Sequence, residues 1–508
     1  MKDYGESLVI SPVERVLQAA IKYPGRIALE LHDSKYSYLE LTEAAAAIAE
    51  SITDLNDPCP FVAVVADKSF SCYSGILGVL MAGKAYLPLN PRFPASRNLF
   101  MLEKARVRIL IAGEIPDDDL DTLLDNYSAG MYVIFPEGRT SQVTCEVTYP
   151  QTPAYLLFTS GTTGKPKGVT VSNGNLASYL DFMLKTYDFQ PDDRFTQNFD
   201  LTFDLSVHDI FLAWSSGACL CVPRDNSAFE MARFIREKQP TVWFSVPSVI
   251  VLMDRMRLLK TGAFSSIRFS FFCGEALPVN SAKAWKHAVP QSRLVNLYGP
   301  TEATIAISNY ELPEKTELWK SEKGIISIGK VFEGNSFMTQ KATSQLGEGE
   351  LCLSGNQVVD NYFDNEVADK DAFFTLPGSK QKWYKTGDLV EVDEEGDIFF
   401  VGRKDAEVKI SGYRVNLKEI ENVLSGYEPD GQAVVIYQQH ADEQGIILAF
   451  ICLNNKEKAK EKDLDTYCRQ QLPWYMVPGK FIFVNEIPLN LNGKVDMASL
   501  KKKYTDGK

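Results

Sequence analysis

The stretch TSGTTGKPKG at residues 159–168 decides how the rest of the sequence is interpreted. It follows an apolar run at residues 154–158 and carries four hydroxyl groups, three glycines and two lysines. Glycines let backbone amides converge on phosphate oxygens, while hydroxyls and lysines add donors and positive charge. We therefore predict a phosphate-binding loop after a strand, in preference to an ordinary surface loop. Pro166 stands where a Walker loop requires glycine, so the usual P-loop mechanism is not expected. The predicted nucleotide-contacting residues of the loop are Thr159, Ser160, Gly161, Thr162, Thr163, Gly164 and Lys167.

Length and composition limit the classes of protein that fit. A chain of 508 residues exceeds one typical domain, and its 45% hydrophobic and 23% charged residues are typical of globular proteins. A net charge of -13 would repel a polyanion, so nucleic acid is not expected as a partner. The amino terminus lacks the pattern of a secretory signal and no apolar run is long enough for a bilayer, so we expect a cytoplasmic protein without a membrane partner.

Cysteine and histidine give no metal or disulfide signature. The nine cysteines contain no CxxC pair, and the four histidines do not stand in a metal-ligand pattern with cysteine or with each other. We expect reduced, mostly buried thiols and no structural zinc.

The order of predicted elements indicates an α/β fold. Apolar strand-like runs such as residues 61–65 alternate with helix-like stretches such as residues 37–52, which favours parallel sheets covered by helices. After Lys330 the strands become shorter and glycine-rich, which indicates a β-rich subdomain. We place the domain boundary after Gly402, giving a large core domain at residues 1–402 and a small α+β domain at residues 403–508.

Four further motifs follow the loop in order. They are NLYGPTE at residues 296–302, YKTGD at 384–388, GRKD at 402–405 and NGKVD at 492–496. With the loop at residues 159–168, they resemble the motifs of the adenylate-forming superfamily of acyl-CoA synthetases, adenylation domains and luciferases. The resemblance covers essentially the whole chain. It implies a large domain of two sheets with helices, a small mobile carboxy-terminal domain, and formation of an acyl-adenylate from ATP.

The resemblance also implies roles in catalysis. Lys494 would bridge the substrate carboxylate and the α-phosphate, Thr301 would donate to that phosphate, and Glu302 would hold Mg²⁺. Asp405 would be the hinge about which the small domain rotates, and Gly412 would line a tunnel for a pantetheine arm. A simple turn explains Gly412 equally well.

Four residues are implied on the nucleotide. Asn296 and Tyr298 would lie beside the purine, Asp388 would accept from both ribose hydroxyls, and Arg403 would lie near ribose and phosphate. Taken alone, a core tyrosine and a surface salt bridge would explain these residue types. Asn416 departs from the acidic residue common in related motifs, which leaves the geometry of that loop open.

The stretch FDLSVHDIF at residues 203–211 resembles the branch of the superfamily that activates amino acids. There Asp204 would pair with the substrate α-ammonium group. A fatty or aryl acid would leave this carboxylate unpaired, at a cost of several kcal/mol if it is buried. The competing interpretation is that Asp204 merely caps a helix.

The family pocket, carried over position by position, is uncharged if His208 is neutral, and a crowded apolar lining favours a small neutral side chain such as that of proline or alanine. Its residues here are Leu205, His208, Phe244, Phe271, Cys273, Leu297, Gly299, Ile305 and Ala306.

Several identities within the superfamily remain open. WFSVPS at residues 243–248 and FCGE at residues 272–275 resemble D-alanine:carrier-protein ligases, whereas His208 and Leu297 fit a stand-alone proline-type enzyme equally well. The chain ends twelve residues after Asp496, so the thiol acceptor is expected to be a separate carrier protein with a phosphopantetheine arm. The sequence is also compatible with an acyl-CoA ligase or with a degenerate nucleotide-binding protein.

Overall fold

The structure is a computed structural model of this chain. Contacts between residues divide the chain into two compact units. The large unit comprises Met1–Pro91, Asn98–Thr159 and Lys167–Asp405, and the small unit comprises Arg92–Arg97, Ser160–Pro166 and Ala406–Lys508. The residues that the structure describes are 10–113, 127, 129–136, 140–161, 166–341, 349–405, 407–427, 432–438, 445–452, 460–485, 487–488 and 500.

Helices and strands alternate along most of the described chain. The helices are α1 (Pro12–Lys22), α2 (Tyr38–Asp54), α3 (Phe70–Met81), α4 (Ala95–Ala105), α5 (Asn173–Thr186), α6 (Leu205–Ser215), α7 (Ala228–Lys238), α8 (Pro247–Arg255), α9 (Val279–Ala288), α10 (Glu366–Ala372), α11 (Leu417–Tyr427) and α12 (Glu461–Gln471). The strands as far as the end of the large unit are β1 (Ile27–Leu31), β2 (Ser34–Ser37), β3 (Phe61–Val65), β4 (Ala85–Leu89), β5 (Ile109–Ile111), β6 (Tyr132–Ile134), β7 (Pro153–Thr159), β8 (Lys167–Ser172), β9 (Arg194–Thr196), β10 (Cys219–Val222), β11 (Val242–Ser245), β12 (Phe269–Phe272), β13 (Arg293–Tyr298), β14 (Ser308–Glu311), β15 (Ser321–Glu322), β16 (Ile325–Ile326), β17 (Lys330–Val331), β18 (Asn335–Lys341), β19 (Gly349–Gly355), β20 (Tyr362–Phe363), β21 (Phe373–Thr375), β22 (Lys382–Val392) and β23 (Ile398–Arg403). Those of the small unit are β24 (Glu407–Ile410), β25 (Tyr413–Asn416), β26 (Gln432–Gln438), β27 (Ile446–Cys452) and β28 (Lys480–Phe483).

Two of the three main sheets of the large unit are largely parallel. The nine-stranded sheet has the order β17-β14-β13-β12-β11-β9-β10-β1-β2, and its strands from β13 to β1 pair in parallel. The seven-stranded sheet has the order β20-β8-β7-β4-β3-β5-β6, with parallel pairing from β7 to β6. The third sheet, β18-β19-β22-β21 with β23 beside β22, is antiparallel. Together these sheets confirm the predicted α/β class with a β-rich subdomain.

The small unit has its own sheets and core. The hairpin β24-β25 precedes α11, and β26, β27 and β28 form a three-stranded sheet. Apolar side chains from α11 and α12 pack with those of β27. The combination is an α+β arrangement.

Local sequence explains where several helices begin. The Ser11 and Ser37 side chains each accept a hydrogen bond from a backbone N–H of the first turn, and the Glu14 and Glu40 carboxylates accept from the backbone N–H groups of these serines, so α1 and α2 start with capping boxes. Helix α6 is different, because every residue from Leu205 to Trp214 is buried. It therefore lies in the core of the large unit. Within the described part of the chain, no helix has the length and apolar character that crossing a bilayer requires.

Candidate active site

Strand β13 carries two polar side chains into the large unit near its carboxyl end. Asn296 is 2% exposed and its Nδ2 donates to the carbonyl of Ser327 at 2.9 Å. Its Oδ1 is buried and has no hydrogen-bond partner among the described residues. A buried amide oxygen without a donor is costly, so this position can accept a hydrogen bond from a ligand amino group.

A chain of polar contacts continues from β13 to the third sheet. The Tyr298 hydroxyl donates to Oδ2 of Asp388 at 2.5 Å, and Arg403 donates to Oδ1 of Asp388. Asp388 and Arg403 face each other in the register of β22 and β23. Arg403 also donates from Nε to Oδ1 of Asp405 at 2.8 Å and from Nη2 to Oδ2 of Asp405 at 2.7 Å. We call Tyr298, Asp388, Arg403 and Asp405 the nucleotide-side cluster. The buried Asp388 carboxylate is thereby held in one orientation.

Glu302 lies in the short 3₁₀ helix Thr301–Ala303 and is fully buried. Its Oε1 accepts from the Tyr362 hydroxyl at 2.7 Å. The Lys167 ammonium lies over the Tyr362 ring at 5.1 Å. A carboxylate oxygen is the ligand type that Mg²⁺ prefers, so Glu302 can supply one. Sequence reasoning missed Tyr362, because nothing in its own surroundings marks it as a partner of a residue sixty positions away.

The turn after the 3₁₀ helix is strained. Thr304 and the β-branched Ile305 have positive φ angles of 58° and 69°. Gln357 holds this turn, since its Nε2 donates to the Ala306 carbonyl at 2.7 Å and its own carbonyl accepts from the Thr304 hydroxyl at 2.5 Å. A Cβ at Gly299 would lie 2.5 Å from Cα of Ala306. Only glycine fits there, because the backbone of the turn packs directly against this position. Such strain persists where the surroundings fix it, often at functional sites.

The phosphate-loop residues fall on both sides of the division into units. Thr159 ends β7 and Lys167 begins β8 in the large unit, with the Thr159 hydroxyl 3.5 Å from the Lys167 carbonyl. The predictions for Thr162, Thr163 and Gly164 lie outside the described residues.

Ser160 and Gly161 belong to the small unit, where their donors are engaged. The Ser160 hydroxyl donates to the Arg414 carbonyl at 2.7 Å, and the Gly161 amide donates to the Glu419 carboxylate. Arg97 binds Glu419 at 2.9 Å, and both side chains are buried. Burial nevertheless raises the pKa of Glu419 above its ordinary value. A phosphate on Ser160 or Gly161 would therefore replace existing protein contacts.

Asp204 directly precedes α6 and is 6% exposed. It has helical backbone angles, and its side chain makes no capping hydrogen bond to the helix. The structure therefore gives no support to the interpretation of Asp204 as a helix cap.

His208 lies one turn beyond Asp204 on α6 and is fully buried. Its Nδ1 is 2.5 Å from the Tyr179 hydroxyl, and its ring lies 4.1 Å from that of Phe244 and 5.4 Å from that of Phe271. Its Nε2 has no hydrogen-bond partner among the described residues. Burial lowers the pKa of His208 to about 3, so the ring is neutral at physiological pH. Tyr179 is a second residue that sequence reasoning missed.

Of the other predicted pocket residues, Phe244 and Phe271 have their rings beside that of His208. Seven of the predicted residues are buried in the same core cluster of the large unit, which also contains Tyr179. They are Leu205, Phe244, Phe271, Cys273, Leu297, Ile305 and Ala306. This cluster extends over most of the large unit, so the assignment of these residues to one pocket stays a prediction.

Asp209 is a buried carboxyl group that no motif singled out. Both its oxygens are buried without a hydrogen-bond partner among the described residues. Burial raises the pKa of Asp209 well above its ordinary value, and the charge of Lys68 offsets this only in part. We call Tyr179, Asp204, His208 and Asp209 the helix-side cluster.

Gly412 and Asp405, which are predicted to act in the second half-reaction, belong to different units. Gly412 occupies the turn between β24 and β25 with φ 82°, after Ser411 with φ 49°. Two consecutive positive φ angles are typical of a tight hairpin, so the turn interpretation of Gly412 is sufficient for its local geometry. Asp405 is the last residue of the large unit. Lys494 lies outside the described residues.

The chain matches two family models. A family model described as AMP-binding enzyme matches residues 16–363, and a second, described as AMP-binding enzyme C-terminal domain, matches residues 419–494. The first match covers more than half of the chain and includes Asn296, Tyr298 and Glu302, whereas Asp388, Arg403 and Asp405 lie beyond it.

Individual relatives extend over nearly the whole chain. Zwittermicin A synthase ZmaJ of Bacillus cereus is 31% identical over 499 residues, covering 94% of this chain and 92% of that protein. An L-proline--[L-prolyl-carrier protein] ligase of Pseudomonas fluorescens is 29% identical over 517 residues, covering 96% of this chain and 98% of that protein. Four further relatives, 29% to 30% identical, are far longer, and this chain spans only 7% to 19% of their length.

Solved structures agree with the fold. The Vibrio cholerae adenylation domain AlmE, in complex with glycyl-adenosine-5'-phosphate, has a TM-score of 0.83 and 28% identity, with 99% of each chain covered.

Proposed function

The chain belongs to the AMP-binding enzyme family, and on that premise we propose that it activates a small uncharged amino acid with ATP and transfers the aminoacyl group to a carrier protein. The reaction releases pyrophosphate and forms an aminoacyl-adenylate, whose acyl group then passes to the phosphopantetheine thiol of the carrier protein. The observation that carries the proposal is the buried Asp204, which directly precedes α6 without capping it.

The residues present fit ATP. The unpartnered Oδ1 of Asn296 can accept from the amino group of adenine, and the Tyr298 ring offers a flat face. Asp388, already oriented by Tyr298 and Arg403, can accept from ribose hydroxyls. ATP supplies the adenylyl group that makes the carboxylate reactive. These side chains bind and orient it.

Mg²⁺ would be held by Glu302, whose carboxylate is fixed by Tyr362. The ion would neutralise charge on the phosphates, which is the general contribution of metal ions in such sites. We propose that Thr301 donates to the α-phosphate and that Lys494 neutralises both the carboxylate and this phosphate as they meet.

Amino-acid binding rests on Asp204. A buried carboxylate gains most from a cation, and the α-ammonium group of an amino acid supplies one next to the carboxyl group that reacts. The neutral ring of His208 and the apolar residues around it offer no counter-ion for a charged side chain. We therefore propose a small neutral substrate, with proline or alanine favoured. A relative named for L-proline and a similar structure in complex with glycyl-adenosine-5'-phosphate support this size class.

Transfer to the carrier would follow a rotation of residues 403–508 about Asp405. Lys494 would then leave the site, and the region of Gly412 would face the pantetheine arm. Lys494→Ala should abolish adenylation and largely spare thiolation from supplied aminoacyl-adenylate. Equal loss of both half-reactions would contradict the two-state proposal.

The experiment that tests the function is amino-acid-dependent exchange of labelled pyrophosphate into ATP. The panel contains both enantiomers of proline and of alanine, together with glycine, serine, lysine, glutamate, a fatty acid and an aryl acid. We expect exchange with a small neutral amino acid and none with the charged ones. Exchange driven only by the fatty or aryl acid would identify an acyl-CoA ligase, and no exchange with any acid would identify a degenerate nucleotide-binding protein. Exchange restricted to D-alanine would assign the chain to D-alanine:carrier-protein ligases.

A further inference from the structure

Strands β1, β10 and β9 place a cluster of thiols and charges on one face of the nine-stranded sheet. In the parallel register Glu30 of β1 is beside Cys221 of β10, and Arg194 of β9 is beside Cys219. Cys219 and Cys221 are two residues apart, so their side chains point to the same face. Cys219, Cys221 and Glu30 are 6%, 0% and 3% exposed. We call these three residues the β10 cluster.

The sulfur atoms have the separation of two ligands of one metal ion. Sγ of Cys219 and Sγ of Cys221 are 3.7 Å apart. Two thiolates bound tetrahedrally to zinc, at the usual Zn–S length, lie about 3.8 Å apart. One oxygen of Glu30 and the two sulfurs all lie within 4.8 Å of one another. Three ligands from two hydrogen-bonded strands are therefore already gathered without a change in the backbone.

Glu30 retains the capacity to bind a metal despite its ion pairs. Its Oε2 accepts from Arg194 and its Oε1 from Lys238, each at 2.8 Å. Each carboxylate oxygen has about two lone pairs, so one on each oxygen remains after these bonds. The two cations orient the carboxylate much as outer hydrogen-bond partners orient ligands in metal sites.

The charges of the cluster also permit a divalent ion. With both thiols protonated, Glu30, Arg194 and Lys238 carry a net charge of one positive unit. Binding of Zn²⁺ by two thiolates replaces two protons with two positive charges, which leaves that net charge unchanged. The side chains of Arg194 and Lys238 are 28% and 24% exposed, so the ion can reach the cluster from solvent beside them.

From this geometry we propose that Cys219, Cys221 and Glu30 form a binding site for a thiophilic divalent cation, Zn²⁺ or Cd²⁺, with water as the fourth ligand. On binding, each Cys S–H bond is replaced by a metal–sulfur bond and two protons go to solvent. The site is separate from the proposed active site and does not depend on the proposed function. A sequence search for CxxC pairs and histidines cannot find it, because its ligands are a CxC pair and a glutamate from a distant strand.

The first test uses the reduced full-length chain and Cd²⁺ or Zn²⁺ alone. We expect one Cd²⁺ per chain with thiolate-to-cadmium charge-transfer absorption of two thiolates, and release of two protons per Zn²⁺ in weak buffer. These readings need no variant. A metal that binds without charge-transfer absorption or without proton release would overturn the proposal, as would recovery of the two cysteines as a disulfide that Zn²⁺ does not prevent.

The second test assigns the residues. The double substitution Cys219→Ser and Cys221→Ser should weaken Cd²⁺ binding by more than about 100-fold, and Glu30→Gln by about tenfold. Cys352→Ser is the matched control, because Cys352 is also fully buried in a strand but has no part in the cluster. Equal Cd²⁺ affinity in the wild type and in the double variant would place the ion elsewhere and overturn the assignment. Circular dichroism of each variant establishes that it is folded.

Discussion

The nucleotide-side and helix-side clusters differ in how far their buried polar groups are hydrogen-bonded. In the nucleotide-side cluster, Asp388 is bound by Tyr298 and by Arg403, which also binds Asp405. In the helix-side cluster, Nε2 of His208 and both oxygens of Asp209 have no hydrogen-bond partner among the described residues. In the first cluster Arg403 pairs with both carboxylates, whereas in the second burial lowers the pKa of His208 and raises that of Asp209, so both side chains favour their neutral forms. Hydrogen bonds and ion pairs therefore fix the side chains of the nucleotide-side cluster, whereas burial sets the charge state of His208 and Asp209 in the helix-side cluster.

Asp204 is the charged exception that the proposal places in the helix-side cluster, and its loss should have the largest effect. Asp204→Asn should reduce amino-acid-dependent pyrophosphate exchange by at least about 100-fold, since removing one partner of a buried ion pair costs about 3–5 kcal/mol. The KM for ATP should change little. Asp209→Asn is the matched control on the same helix and should retain exchange. Similar losses in both variants would indicate damage to α6 and not loss of an ammonium partner.

The neutral state of His208 predicts a pH-dependent stability. Its pKa falls from 6.5 to about 3 on folding, so its contribution to the free energy of unfolding is complete above pH 6.5 and is lost as the pH falls toward 3. Between about pH 7 and about pH 4, the wild type should lose roughly 3 kcal/mol relative to His208→Phe, because one pKa unit corresponds to about 1.4 kcal/mol. Urea unfolding at each pH measures the difference. Parallel curves would mean that the ring titrates normally.

Asp209 should give the opposite slope. Its pKa is raised on folding, so the fold is penalised progressively as the pH rises above 3.8, where the unfolded chain releases the proton and the folded chain keeps it. The stability of Asp209→Asn relative to the wild type should therefore increase with pH. The same urea series tests this, and a difference that is independent of pH would refute it.

In the nucleotide-side cluster, Asp388→Asn removes a charged acceptor. The KM for ATP should rise about 10- to 100-fold, since hydrogen bonds to charged groups contribute about 1.5–3 kcal/mol. The KM for the amino acid should stay nearly constant. Tyr298→Phe, which keeps the ring, should cost less than Asp388→Asn. A change confined to the KM for the amino acid would contradict the nucleotide assignment.

The smallest effect is expected at Tyr179. Tyr179→Phe removes one neutral hydrogen bond and leaves Nδ1 of His208 without a partner, which should cost about 1 kcal/mol of stability. Exchange activity should remain within a few-fold of the wild type. Thermal unfolding measures the first quantity, and loss of all activity would mean that this bond positions more than the ring.

The sequence predicted the fold class well because patterning and motif order carry that information. The strand at residues 61–65, the helix near residues 37–52 and the β-rich region after Lys330 all appear, with boundaries within a few residues. The eight pocket side chains were named from the family resemblance; seven of them lie in one large core cluster, and His208 is buried beside the rings of Phe244 and Phe271. Their roles remain predictions.

What the sequence could not predict are partners brought together by the fold. Tyr179, Gln357 and Tyr362 are each distant in sequence from the residues that they hold, and tyrosine and glutamine carry no pattern that marks such contacts. The unpartnered state of Asp209 was equally invisible, since an aspartate within a helical stretch is usually solvated. Such features depend on what packs around a side chain.

The composition of the small unit affects how related chains can be recombined. Arg97 and Glu419 form a buried ion pair within that unit although more than three hundred residues separate them in sequence. A chimera that exchanges only residues 406–508 with a relative would take Arg97 from one parent and the residue at position 419 from the other. An exchange that keeps this pair intact would therefore replace three segments together. They are Arg92–Arg97, Ser160–Pro166 and the carboxy-terminal residues 406–508.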